Sequence, residues 1–169
     1  MAELSFQKLV ERSVVQEKIK KNVNDTDVLI WDEISMSSCR FLELVNMIHH
    51  VVSDNNFAFG SIQVILVGDF WQLKPVPSVF DEGKAMYESK IFDEAFQHRI
   101  ELTKILRQSD MRFKNWLDML RVGECNEEGE EYAQSLDREI ATEEGNEPIH
   151  IYFRKVHVEC HNGTVLASL

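Results

Sequence analysis

Apolar residues fall into two patterns along this chain. Phe6, Leu9, Val10 and Val14 recur at helical spacing and predict an amphipathic helix over the first twenty residues. Lys18, Lys20 and Lys21 near its end suit the negative pole of the helix dipole. A polar turn is expected at Asn22–Thr26. Val28-Leu29-Ile30-Trp31 is short and continuously apolar, which suits a strand buried on both faces of a parallel sheet. Phe41, Val45, Ile48 and Val52 mark a helix, with Ser37 or Ser38 as its N-cap. After a loop at Asn55–Gly60, Ile62–Val67 is a second β-branched apolar run, closing on Gly68-Asp69. Strand, helix and strand in this order predict a βαβ unit and an α/β fold with a parallel sheet.

Beyond it the Pro-bearing segment Phe70–Gly83 is expected to be irregular. A short helix is expected at Ile91–Phe96 and a third short strand at Ile100–Leu102. Phe113, Trp116, Leu117 and Leu120 give one face of a helix ending around Gly123, a C-cap residue. An acidic, partly helical connector follows, then a strand at Ile149–Phe153 and a helix from Val156 to Leu169. No internal repeat breaks this order.

Composition changes the picture in one respect. The 169 residues carry 18 Lys+Arg against 29 Asp+Glu, a formal net charge of −11. Such a balance argues against a module that grips nucleic-acid phosphates by bulk charge. Yet Glu124–Glu147 holds ten of the acids and one base, Arg138, leaving 19 acids and 17 bases elsewhere. The acidity is local, and a nucleic-acid groove elsewhere is compatible with it. Three scattered cysteines form no disulfide framework and point to a reducing compartment. The start of the chain carries no secretory-signal pattern, and the apolar runs are too short to span a membrane. An intracellular chain is expected.

Both apolar runs end in carboxylates, Asp32-Glu33 after the first and Asp69 after the second. In open α/β sheets ligands bind beyond the carboxyl ends of the strands. An apolar strand closing on Asp-Glu suits nucleotide hydrolysis, in which one carboxylate faces Mg²⁺ and the other accepts a proton from water. The plain alternative is a solvated strand end. In Gly68-Asp69-Phe70-Trp71-Gln72-Leu73-Lys74-Pro75-Val76, Gln72 offers an amide to water or to a γ-phosphate, on a loop stiffened by Pro75 and Pro77. Arg107, closing Glu101-Leu102-Thr103-Lys104-Ile105-Leu106-Arg107-Gln108, offers a guanidinium to a phosphoryl group, with a surface ion pair as the alternative. Phe70 and Trp71 suit either stacking on DNA bases or filling an apolar seam. Trp116 is expected in the core, and His49-His50 as one exposed and one half-buried ring. His157, Cys160 and His161 match no zinc spacing.

Taken together these strings resemble the PIF-type (petite integration frequency) DNA helicases of superfamily one. The resemblance runs through Leu29-Ile30-Trp31-Asp32-Glu33-Ile34-Ser35-Met36, Phe59-Gly60, Gln63 to Val76, Glu101 to Asp110 with Phe113, and Leu120-Arg121-Val122-Gly123. It implies a RecA-like P-loop NTPase fold, here incomplete, whose parallel sheet is flanked by helices. Residues 1–123 would be part of the first RecA-like domain, 124–147 an acidic linker or insertion, and 148–169 the start of a second. It implies Asp32 as the Mg²⁺ ligand, Glu33 as the base for ATP hydrolysis, Gln72 as the γ-phosphate reader and Arg107 as a phosphate-contacting arginine. ATP and Mg²⁺ are the implied cofactors, and single-stranded or forked DNA the implied partner. Nuclear residence is implied first and mitochondrial second, with work in DNA repair, recombination and telomere maintenance. Trp31 and Lys74 depart from the family pattern in minor ways.

A larger departure is the phosphate-cradling loop GxxxxGK[ST]. Residues 1–31 hold no glycine, and Gly83-Lys84 is followed by Ala85, with Ser78 where the first glycine would stand. Without that nest of amides and its lysine the phosphates lose most of their binding site. The expectation is either a piece of a larger helicase or a degenerate descendant, nearly inactive by itself. Two other classes remain open: a non-catalytic remnant serving as an interaction module, and a metal-dependent nuclease or phosphatase built on Asp32, Glu33 and Asp69.

Overall fold

Residues 6–138 and 149–168 are described by a computed structural model of the chain. They fall into two compact units, Met1–Cys125 and Asn126–Leu169.

In the first unit, the opening helix is two helices, α1 (Phe6–Val14) and α2 (Glu17–Asn24). The break falls where Ser13-Val14-Val15 stacks weak helix formers in a row. The Gln16 carbonyl then starts α2 by accepting from Ile19 and Lys20. Consequently α2 runs on through most of the expected turn, and only Asp25–Thr26 closes it. Val10 of α1 is buried, and both helices pack on α3 (Cys39–Ser53).

Strands β1 (Val28–Trp31) and β2 (Gln63–Leu66) pair in parallel, in register Val28↔Gln63 to Trp31↔Leu66, with α3 as the crossover. The βαβ unit is therefore as the apolar pattern predicts. Ser38 caps α3, its Oγ accepting from the Phe41 N–H at 3.1 Å. The Cys39 thiol donates to Glu43, which also takes the Ser89 hydroxyl at 2.9 Å; burial and Glu43 push that thiol pKa up. Trp31 earns its place at the end of β1: its ring meets Phe41 edge-on, and its Nε1 donates to Ser37 Oγ at 3.1 Å.

One face of this pair carries the core. Ile34, Leu42, Phe59, Met86 and Phe92 form the buried cluster, with Trp31, Val64, Leu66, Phe70 and Phe96 packed against it. Phe59 is 1% exposed, and its N–H donates to the buried Asn46 Oδ1 at 2.8 Å. The strands are not buried on both faces as expected. Val28, Ile30 and Ile65 alternate onto a face that no described element covers. A continuous apolar run cannot distinguish a sheet with two helical layers from one with a single layer present.

Helix α4 (Lys90–Ala95), capped by Ser89, falls where expected. The third strand does not form. Residues 97–106 have no regular structure, and Ile100 and Leu102 are 89% and 90% exposed. A strand needs a neighbour's hydrogen bonds, and among the described residues no edge reaches this segment. Helix α5 (Met111–Arg121) starts on Asp110, whose Oδ1 accepts from the Arg112 and Phe113 N–H groups. It ends in a Schellman turn, with Glu124 N–H donating to Met119 and Gly123 N–H to Leu120. Gly123 has φ +77°, the left-handed conformation this turn requires. Trp116 stacks on Phe113 and is half-buried rather than core. Neither histidine of the His49-His50 pair is exposed: His49 is buried against Phe59, where burial lowers its pKa, and His50 is half-buried.

In the second unit, α6 (Glu127–Leu136) makes the acidic stretch helical over that span, capped by Asn126 Oδ1 on the Gly129 N–H. Residues 139–147 of that stretch lie outside the described residues. Among the described residues the strand expected at Ile149–Phe153 does not form; Ile149, Ile151 and Phe153 are exposed while His150 and Tyr152 meet His161 of α7 (Lys155–Ser168). No described helix is long and apolar enough to cross a membrane.

Candidate functional site at the carboxyl edge of the strands

Two backbone hydrogen bonds carry the pairing past the strand ends. Val67 N–H donates to the Trp31 carbonyl at 2.8 Å, and Ile34 N–H to the Val67 carbonyl at 3.2 Å. They clamp Asp32-Glu33 beside Val67-Gly68-Asp69, so the carboxylates that follow the two runs share one edge.

Glu33 sits at φ +53°, ψ +43°, a left-handed conformation unusual for a residue with a side chain. Such strain persists where surrounding contacts over-determine it. Here the Ile34–Val67 hydrogen bond and burial of Ile34 hold the following residue in the core. The chain therefore turns sharply at Glu33, leaving both acidic side chains exposed. Asp32 Oδ1 accepts the Glu33 N–H at 2.8 Å, which steadies the carboxylate.

Gly68 makes the close approach possible. A Cβ there would stand 2.8 Å from both the N and the Cγ1 of Ile34. Gly68→Ala is expected to force these segments apart at a cost of about 1–3 kcal/mol. Urea unfolding of the two proteins checks this, and an unchanged midpoint would contradict it.

Asp69 faces inward on its own loop. Its Oδ1 accepts the Trp71 N–H at 3.0 Å and Arg121 Nη2 at 3.1 Å, and its Oδ2 takes Gln72 Nε2 at 3.4 Å. The Gln72 N–H donates to the Asp69 carbonyl at 3.0 Å, closing the turn. The two aromatics divide their roles. Phe70 fills the apolar seam, edge-on to Tyr87 and Phe92, whereas Trp71 is 65% exposed.

Arg107 is exposed in the irregular segment before α5 and makes no ion pair or hydrogen bond among the described residues. That segment is tied to α5 by Lys114 Nζ, which donates to the Ile105 carbonyl at 3.2 Å. So Asp32, Glu33 and the Asp69–Gln72 turn are brought to one edge, while no contact brings Arg107 to them. The arginine that does reach the edge is Arg121. It stands within the string Leu120-Arg121-Val122-Gly123, but nothing in that string indicates its partner.

As a metal site the edge offers single carboxylates. Among the described residues no three His, Cys, Asp or Glu side chains are grouped to hold a metal ion, His157, Cys160 and His161 included. Among the described residues nothing engages Asp32 Oδ2, which fits an ion completed by water and phosphate oxygens rather than a protein cage. Asp69, already held by Arg121 and Trp71, does not fit a three-carboxylate metal cluster.

A parallel βαβ unit with an Asp-Glu turn and a Gly-Asp turn at the carboxyl edge of its strands is the architecture of a nucleotide-binding α/β domain. Residues 3–131 match the model of the PIF1-like helicases. The chain is 32% identical over 167 residues to the ATP-dependent DNA helicase RRM3 of Saccharomyces cerevisiae, covering 98% of this chain and 23% of that protein. Among solved structures it resembles the Pif1 helicase from Candida albicans, with a TM-score of 0.90, 32% identity, and coverage of 98% of this chain and 37% of that one. The Bacteroides Pif1 helicase in complex with ADP-AlF3 and ssDNA gives a TM-score of 0.80 at 30% identity, covering 90% of this chain and 38% of that one. The chain belongs to the PIF1-like helicase family, and its fold is part of a RecA-like helicase. It spans under a quarter of the length of the curated relative RRM3.

Proposed function

We propose that this chain supplies the hydrolytic edge of the first RecA-like domain of an ATP-dependent DNA helicase. Asp32 holds Mg²⁺, Glu33 takes a proton from the attacking water, Gln72 contacts the γ-phosphate and Arg107 contacts phosphate oxygens. When bound, the ion screens the phosphate charge. Residues 1–123 belong to that first domain, 124–147 form a linker or insertion, and 148–169 begin the second. The DNA partner is single-stranded or forked. The setting is nuclear before mitochondrial, in DNA repair, recombination and telomere maintenance.

The observation that carries this reading is the clamp between Trp31, Ile34 and Val67, which sets Asp32-Glu33 beside the turn bearing Gln72. Among the described residues Arg107 has no hydrogen-bond or ion-pair partner, which leaves its guanidinium available to a phosphate. The nuclease reading needs Asp69 beside Asp32 on a metal, and Asp69 is engaged by Arg121 instead.

The 169 residues contain no GxxxxGK[ST] string, so ATP hydrolysis by this polypeptide alone is expected to stay near background. Grafting residues 6–123 in place of the corresponding segment of the Candida albicans Pif1 helicase joins them to the rest of a motor. That chimera is expected to hydrolyse ATP in a Mg²⁺- and ssDNA-dependent way, read by phosphate release. Metal-dependent DNA cleavage without nucleotide, or a folded chimera with no hydrolysis, would contradict the proposal.

A further inference from the structure

An arginine at the end of one helix contacts a carboxylate 52 positions earlier, in the turn that carries Gln72. Arg121 is the last residue of α5, where a positive side chain complements the helix dipole without any partner. It reaches instead to Asp69 Oδ1, at 3.1 Å. Asp69 is only 23% exposed in its side chain and Arg121 46%, so water screens this pair less than one standing free in solvent. The same carboxylate takes the Trp71 N–H and the Gln72 amide. Gln72 itself is exposed, and no other side-chain contact holds its amide among the described residues.

The arrangement has a direction. Arg121 fixes the Asp69 carboxylate, whose orientation then determines where the Gln72 Nε2 and the Trp71 N–H find their acceptor. A 3.4 Å contact is weak by itself, so the amide's direction depends on the carboxylate staying in place. The other end of the tether is a helix capped at both ends: a Schellman turn closes α5 just beyond Arg121, and Asp110 caps its start. The Arg121–Asp69 ion pair thus joins the end of α5 to the turn bearing Gln72.

We infer that Asp69 and Arg121 are positioning residues for Gln72, a pair that aims its side-chain amide and ties it to α5. The inference rests on the proposed role of Gln72 at the γ-phosphate. A staple that merely held α5 in place would leave the Gln72 amide indifferent to the loss of Arg121.

The test is nuclear magnetic resonance of the ¹⁵N-labelled 169-residue chain without nucleotide. Two signals are followed: the Gln72 side-chain amide pair, assigned by its disappearance in Gln72→Glu, and hydrogen exchange of the Trp71 backbone amide. Arg121→Ala is expected to move the Gln72 pair toward the shifts of a free glutamine and to speed Trp71 exchange about 2–5-fold, as expected for losing a partly exposed ion pair. Arg121→Lys, which keeps the charge, is expected to restore most of both effects. Asp69→Ala removes the acceptor itself and is expected to speed Trp71 exchange about tenfold. Unmoved Gln72 and Trp71 signals in Arg121→Ala, with α5 signals displaced, would overturn the pair and leave only a staple. No nucleotide enters this measurement, so its failure leaves the role of Gln72 standing, and that role is judged on the chimera's ATP hydrolysis.

Discussion

Phe59→Ala lowers the unfolding free energy of the chain by about 3–5 kcal/mol, the usual cost of emptying a large aromatic site in a packed core. Phe59 is fully enclosed, edge-on to the His49 ring and 5.7 Å from the Phe96 ring, within the cluster that includes Leu42, Met86 and Phe92. Its backbone is left-handed, at φ +51°, and pinned by Asn46. The neighbours that line the vacated space cannot close in freely, since Leu42 is fixed on α3, Met86 in the turn before α4, and Phe92 and Phe96 on α4 and its C-cap. Domains are stable by only about 5–15 kcal/mol, so the loss is a large share of the total. Urea unfolding followed by circular dichroism checks it. With a slope of about 2 kcal/mol/M, the midpoint is expected to fall by about 2 M. A shift under about 0.5 M would show that Phe59 is not a keystone of this core.

That result bears on how the Phe59-Gly60 string is understood. It belongs to the resemblance with the helicases, yet its role here is to seat an aromatic ring under the βαβ crossover and turn the chain into β2. Periodicity made the crossover legible: α3 with Ser38 as cap, the two apolar runs as parallel strands, α5 ending at Gly123. These are short-range features, set by spacing, caps and turn residues. The expected strand at Ile100–Leu102 and the expected burial of both strand faces depended on partners distant in sequence, and apolar content cannot reveal whether such partners are present.

The candidate site shows the same division. That Asp32, Glu33, Asp69 and Gln72 share one edge is legible, because strand ends and motif strings place them. The left-handed turn at Glu33 follows from contacts that Ile34 makes with Val67 and with the core, which no string encodes. Arg121 lies in a matched string, but its partner is 52 positions away. The roles of Phe70 and Trp71 could be separated only once Tyr87 and Phe92 were seen against one ring and solvent against the other.

Glu33→Gln in the chimera carries the other large effect. The substitution keeps size and polarity but removes the carboxylate's ability to accept a proton from water. General-base catalysis typically contributes about 10²–10⁴-fold, and the turnover rate is expected to fall by that factor. The Glu33 side chain is exposed and makes no hydrogen bond among the described residues, so stability should stay within about 0.5 kcal/mol of the parent. Nucleotide affinity is expected to change little, because the proposed phosphate contacts are Gln72 and Arg107 rather than Glu33. Losing catalysis while keeping fold and binding is what separates a base from a structural residue, and it fits the strained backbone that turns this carboxylate into solvent.

The most direct measurement is therefore single-turnover hydrolysis of radiolabelled ATP by the chimera and by its Glu33→Gln variant, with Mg²⁺ and single-stranded DNA present and bound nucleotide quantified in both. The first is expected to release labelled phosphate and the second to hold bound ATP intact over the same interval. Equal rates of phosphate release from the two proteins would contradict it.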